Sequence, residues 1–200
     1  VEKSMNLLIN ETKRRKLYLN TRLYTENQIV QESIFTALIQ LMQKKEFHNI
    51  TITEITEKAG VSRMSYYRNY SSKEDILIKY LDRIFDEYLT ELLRLKKCTK
   101  YDIAKIYFSN MRRHKQFWIT VICSNISYLI PQKVDIYIND LFEKYFRSEY
   151  HPKAFKEYIF DYYAGGLYKT SVKWIQNGMK ESDEEMAELI CRLSDFIEIL

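Results

Sequence analysis

Glycine and proline are scarce in this chain, with four Gly and two Pro in 200 residues. An all-β sandwich or barrel needs a turn about every 8 to 12 residues, so this shortage excludes one and leaves a mostly helical chain. Cysteine is also scarce: three residues, at 98, 123 and 191, with an odd count and no CxxC pair. That pattern excludes a disulfide framework and a zinc ribbon, and it fits a reducing compartment. No apolar run approaches the roughly 18 residues of a membrane span, and the first basic cluster follows apolar residues, the reverse of a signal peptide. The P-loop, GxGxxG, HExxH and GxSxG patterns are absent. The expectation is therefore a soluble, cytoplasmic, all-α protein that is not an enzyme and has no metal, cofactor or membrane contact.

Hydrophobic residues make up 46% of the chain and charged residues 29%, enough to bury a core and to exclude a disordered tail. The net charge of +4 is unevenly placed. Residues 1–80 carry 13 Lys and Arg against 9 Asp and Glu, whereas residues 81–200 carry 18 of each. From Lys58 to Lys73 there are Lys58, Arg63, Arg68 and Lys73 and no acid, interleaved with Tyr66, Tyr67 and Tyr70. A polyanion could sit there, although charge alone fits a solvated surface equally well.

Patterning supplies the second signal. Residues 1–26 form a basic extension around Lys13-Arg14-Arg15-Lys16, more simply a solvated helix face than an arm along a polyanion. From Asn27, Val30, Ile34, Ala37, Leu38 and Leu41 make the stripe of an amphipathic helix ending near Glu46, with Phe47 packed into the turn. Thr51-Ile52-Thr53-Glu54 is a capping box opening a short helix whose buried face is Ile52, Ile55 and Ala59 and whose stop is Gly60. Ser62 suits the N-cap of a third helix that finishes by about Tyr70. Ser71-Ser72-Lys73-Glu74 is a second box, opening a long helix toward Lys96 with Ile76, Leu77, Tyr80, Leu81, Ile84, Tyr88 and Leu92 inward. Two short helices around a Gly-containing turn, the second in the basic segment, are the arrangement of a helix-turn-helix, sized for a DNA major groove about 12 Å wide.

The run from Thr51 through Ala59-Gly60-Val61-Ser62, Tyr67 and Tyr70 to Lys73-Glu74 resembles the signature of TetR-family transcriptional regulators, and the match extends over residues 27–77. Tyr66 departs from it, where the family commonly has an aliphatic residue. The resemblance implies a three-helix DNA-binding domain at 27–73, a larger helical ligand-binding and dimerisation domain at 74–200, and a homodimer on a palindromic operator in double-stranded DNA. It also implies residue roles. Thr51 and Thr53 would offer hydroxyl and N–H groups to a phosphate at a helix N-terminus, or serve as caps only. Ser62, Arg63, Met64 and Ser65 would begin the recognition helix, where Arg can pair with guanine and Met can pack on a thymine methyl. Tyr67, Arg68 and Lys73 would contact phosphates. On that reading Arg63→Ala relaxes specificity, and Lys73→Ala flattens the salt dependence by about one unit. Tyr66 and Tyr70 are expected in the core, and Asn69 is left open between a backbone contact and a solvated helix end.

The remaining chain suggests helices at 101–113, 115–130, 132–147, 152–177 and 183–199, separated by Pro131, Pro152 and Gly178. Ser182-x-x-Glu185 is a capping box, and Met186, Leu189, Ile190, Leu193, Phe196, Ile197 and Leu200 form a packing seam. With Tyr162, Gly166 and Trp174 on the preceding helix, that seam forms either half of a four-helix dimer interface or an intramolecular contact. Gly165-Gly166 indicates close approach by another element or a kink. The segment from Tyr158 to Ser182 resembles the C-terminal domain of a TetR sub-type that includes activators of dihydroxyacetone-kinase operons. Phe108, Arg112, Trp118, Tyr128 and Tyr163 are candidates for an effector pocket, with ordinary core packing as the alternative. The resemblance implies a repressor released by a small-molecule effector; the alternative is an effector-independent DNA-binding protein or an activator that recruits a partner.

Overall fold

The computed structural model describes residues 24–95, 97–124, 126, 130, 131, 133, 136, 137 and 156–199. Regular structure among the described residues is helical, with no strand. They divide into two compact units, one running up to Arg83 together with Cys123–Ile126, the other comprising Ile84–Ile122 and the chain from Ser127 onward.

In the first unit, α1, Tyr24–Met42, buries Ile34, Phe35, Ala37, Leu38 and Ile39. It stops before Glu46 because the chain turns on the Leu41 carbonyl, which accepts the N–H groups of Lys44 and Lys45. A 3-10 turn, Phe47–Asn49, then buries Phe47 and leads to buried Ile50. Helix α2, Ile52–Ala59, starts on the Thr51–Glu54 capping box and ends at Gly60, whose left-handed φ of 67° favours glycine. Its buried residues are Ile55 and Thr56, while Ile52 and Ala59 are only half-buried. Helix α3, Arg63–Asn69, is capped by Ser62, and both α2 and α3 pack on α1.

Helix α4, Lys73–Leu92, opens one residue later than the sequence pattern suggests. Ser72 Oγ accepts the Asp75 N–H (3.1 Å), and the Asp75 carboxylate accepts from the N–H and hydroxyl of Ser71 (2.9 and 3.2 Å). Lys79, one turn on, lies 3.2 Å from the same carboxylate and favours Asp75 over Glu74 as the capping acid. The division between the compact units falls after Arg83. The first half of α4 belongs with α1: Tyr80 stacks on Phe35 (3.5 Å between centroids), and Arg83 pairs with Glu32 at 2.6 Å.

The second unit contains the rest of α4, then α5 (Lys100–Arg113), α6 (Lys115–Ile122), α7 (Lys156–Gln176) and α8 (Asp183–Ile199). A Thr99–Asp102 capping box, unforeseen in the sequence, opens α5, and the expected Ser182–Glu185 box opens α8. Helix α6 ends at Ile122, well short of residue 130, where Cys123 and Ser124, two residues of modest helix propensity, follow. Pro131 does not separate two helices, for residues 130, 131 and 133 are helical around it. The helix expected over 132–147 lies almost wholly outside the described residues, as does the Lys13–Lys16 cluster.

Candidate nucleic-acid interface

Helix α3 is amphipathic over only seven residues, and its inner side is fixed at several points. Tyr66 is 0% exposed and Tyr70 is buried beside it, their rings 6.0 Å apart. Burial pushes both phenols up to about 12. Asn69 is also buried: its Nδ2 donates to the Ser65 carbonyl (2.8 Å), its Oδ1 accepts from Gln31 on α1 (3.0 Å), and its carbonyl accepts from Lys79 on α4 (2.6 Å). Asn69 is thus a bolt holding α3 to its neighbours, and Gln31 and Lys79 complete it; no local spacing in the sequence signals either partner.

The other side of α3 is free. Met64 is 71% exposed and Tyr67 61%, and Arg63 and Arg68 are exposed as well. Residues 64, 67 and 68 stand one turn apart on one face. The Arg63 guanidinium donates to Thr53 Oγ1, which brings the start of α2 against the start of α3. Ser62 Oγ accepts the Ser65 N–H (3.1 Å) and lies 3.0 Å from the Ser65 hydroxyl.

At the start of α2 the Thr51 hydroxyl is occupied by its cap. It accepts the Glu54 N–H (3.2 Å) and donates to the Glu54 carboxylate (2.8 Å), which also receives the Thr51 N–H (2.8 Å) and Lys45 Nζ (2.5 Å). Lys45 first, then Thr51, hold the Glu54 carboxyl down at about 2. Lys45 was not apparent as a member of this site, because its partner is reached only after the 3-10 turn. The ammonium of Lys73 is held by the carbonyls of Phe47, His48 and Ile50.

The second unit places the candidate effector residues in different settings. A cavity of about 20 Å³, room for about one water molecule, is lined by Tyr107, Met111, Trp118, Ile122, Ile130, Tyr168, Ser171, Val172 and Ile175. Trp118 is the expected residue that lines it. Phe108 is fully buried with its ring edge-on to Trp174 (5.2 Å). Arg112 binds Asp183 Oδ1 (2.7 Å) and the carbonyls of Met179 (2.9 Å) and Glu181 (2.6 Å) over the Trp174 ring, which makes it a structural clamp. Tyr163 donates to the Ser194 carbonyl at 3.5 Å, and Tyr128 lies outside the described residues. No metal-ligating cluster occurs among the described residues.

The expected dimer seam divides. Trp174 and Met186 belong to the internal core, at 2% and 4% exposure, because Arg112 and Phe108 draw Trp174 inward and Trp174 Nε1 donates to the Glu181 carbonyl. Tyr162, Leu189 and Leu193 are exposed, and Ile190 is half-buried. Gly165 and Gly166 are exposed, and a Cβ on either would meet nothing within 4 Å. The side chain of Ile197 lies outside the described residues.

Residues 34–80 match the family model described as bacterial regulatory proteins, tetR family, and residues 98–196 match the one described as a transcriptional regulator C-terminal region. A stretch of 114 residues is 27% identical to the HTH-type transcriptional regulator YerO of Bacillus subtilis and covers 52% of this chain. The match spans only 38% of that relative's length. Among solved structures, Lin0861 of Listeria innocua is similar with a TM-score of 0.71 at 18% identity, covering 89% of this chain and 94% of that one. The dihydroxyacetone kinase operon activator DhaS is similar with a TM-score of 0.57 at 20% identity, covering 86% of this chain and 97% of that one. At these identities the likeness is one of fold.

Proposed function

Because the chain belongs to the TetR family of bacterial regulatory proteins, we propose that it is a cytoplasmic, homodimeric regulator that binds a palindromic DNA operator through α3 and represses until a small molecule releases it. The observation that carries the DNA reading is the two-sidedness of α3. Tyr66, Asn69 and Tyr70 fix the helix to the core, while Arg63, Met64, Tyr67 and Arg68 are exposed on a face without acids. Arg63 bonds Thr53 through one Nη group, and a guanidinium has five N–H donors, so donors remain for a guanine edge. Met64 offers an apolar contact to a thymine methyl, and Tyr67 and Arg68 supply phosphate contacts that carry affinity rather than sequence.

DhaS is named as an activator, so activation is compatible with this fold, and the sign of regulation is a separate question from DNA binding.

The test is binding to a labelled duplex from upstream of the protein's own coding region against random DNA of equal length, over a salt series. Binding about a thousandfold tighter than to random DNA, with a steep salt dependence, is the expected result. Arg63→Ala should reduce that preference by about 1–3 kcal/mol while leaving affinity for random DNA nearly unchanged. Equal loss on both duplexes rejects base reading by Arg63, and no binding at low salt rejects the DNA-binding reading.

A further inference from the structure

We propose that Lys73 serves DNA binding without touching DNA, as the positioning residue that sets the first turn of α2. The inference rests on the DNA-binding reading above and changes the part played by this residue. Lys73 Nζ donates to the carbonyls of Ile50 (2.6 Å), Phe47 (2.9 Å) and His48 (3.3 Å), and it stands 4.8 Å from the centre of the Phe47 ring. An ammonium has three hydrogens, and here each has an acceptor. The acceptors are the carbonyls that the 3-10 turn leaves pointing past its end, where a cation is favoured. Phe47 O also receives the Ile50 N–H, but among the described residues neither the His48 nor the Ile50 carbonyl receives a backbone N–H.

The decisive bond is the one to Ile50. Its carbonyl and the N–H of Thr51 belong to one planar peptide unit. Lys73 holds the oxygen side of that plane at 2.6 Å, and the Glu54 carboxylate holds the N–H side at 2.8 Å. The plane between the 3-10 turn and α2 is therefore gripped from both edges, and its orientation fixes the direction in which the first N–H groups of α2 and the Thr53 hydroxyl point. Those are the groups that a phosphate would meet at the helix N-terminus. Thr53 in turn receives Arg63, so the same plane also bears on the aim of the recognition helix's first residue.

Lys73→Met keeps an apolar stem over Phe47 and removes the charge and all three donors. On the preferred duplex its affinity is expected to fall about tenfold, with the slope of log affinity against log salt unchanged; a cation taken off a phosphate would lower that slope by about 0.9. Because Lys73 and Glu54 hold one plane, Lys73→Met combined with Glu54→Ala should lose no more affinity than the worse single variant. Without DNA, amide exchange of residues 52–55 should accelerate in Lys73→Met while that of the buried part of α4 does not. A slope lowered by about one unit, additive losses, or unchanged affinity overturns the proposal. If the wild-type protein binds no DNA, the functional reading falls and the role of Lys73 in binding falls with it, while the exchange measurement still decides whether Lys73 sets the start of α2. Should Lys73→Met not fold, Lys73→Gln, which retains one amide in place of the ammonium, is carried through the same measurements.

Discussion

Tyr66 has its hydroxyl in the protein interior, without a hydrogen-bond partner among the described residues. A buried hydroxyl left in that state costs about 1–3 kcal/mol. Its ring earns its place by packing, with Tyr67 edge-on at 5.3 Å and Tyr70 at 6.0 Å. Tyr66→Phe keeps the ring and removes the unpaired oxygen, so it should raise stability toward urea by about 1 kcal/mol and leave DNA affinity unchanged. A loss of stability would show that the hydroxyl is bonded. Tyr66 was visible in the sequence as a departure from the family's aliphatic residue, and its burial followed from the spacing of the helix. The missing partner did not, because it depends on what surrounds the far end of the side chain. Asn69 and Lys73 share that property: each is polar, near a helix end, and paired with residues from 10 to 38 positions away.

Helix starts were the most legible elements because a cap closes within four residues. Thr51–Glu54 and Ser182–Glu185 form as their spacing suggests, whereas at α4 two adjacent serines and two adjacent acids allow two registers, and Lys79 selects the second. Helix ends were less legible, as α1 and α6 show, since a stop depends on what the following residues can bury. The cap of α2 makes its own prediction. Lys45 and Thr51 hold the Glu54 carboxyl at about 2 against an ordinary 4.5, so the ionised group stabilises the folded helix start at every pH above about 4.5. That contribution is lost as pH falls from 4.5 toward 2. Amide protection in the first turn of α2 should therefore drop over that window, and Glu54→Gln should show a lower protection that varies much less with pH. An equal pH response in the variant would place the titrating group elsewhere.

At the scale of the whole molecule, each unit has its own buried core, and α4 is the helix that carries the chain from one to the other. Within the second unit, α7 leaves Tyr158 and Tyr162 exposed with Gly165 and Gly166 one turn beyond, and α8 leaves Leu189 and Leu193 exposed. Singly exposed apolar residues are ordinary, but two stripes at helical spacing, one of them ending in glycines that admit close backbone approach, suit the four-helix interface of a symmetric dimer. Trp174 and Met186, though they fit the same sequence period, are excluded from that surface by their burial, which periodicity cannot distinguish from an exposed seam. A stable dimer must cover about 1,200–2,000 Å² in total, so a charge at the middle of each stripe should prevent it. Tyr162→Glu with Leu193→Glu should sediment as a monomer with unchanged helical circular dichroism. Its affinity for the two-half-site operator should fall by about a hundredfold or more, because the second half-site is no longer engaged at high effective concentration, while binding to an isolated half-site stays nearly constant. A variant that still sediments as a dimer would move the interface away from α7 and α8. A monomer that kept full operator affinity would mean that one copy of α3 accounts for recognition.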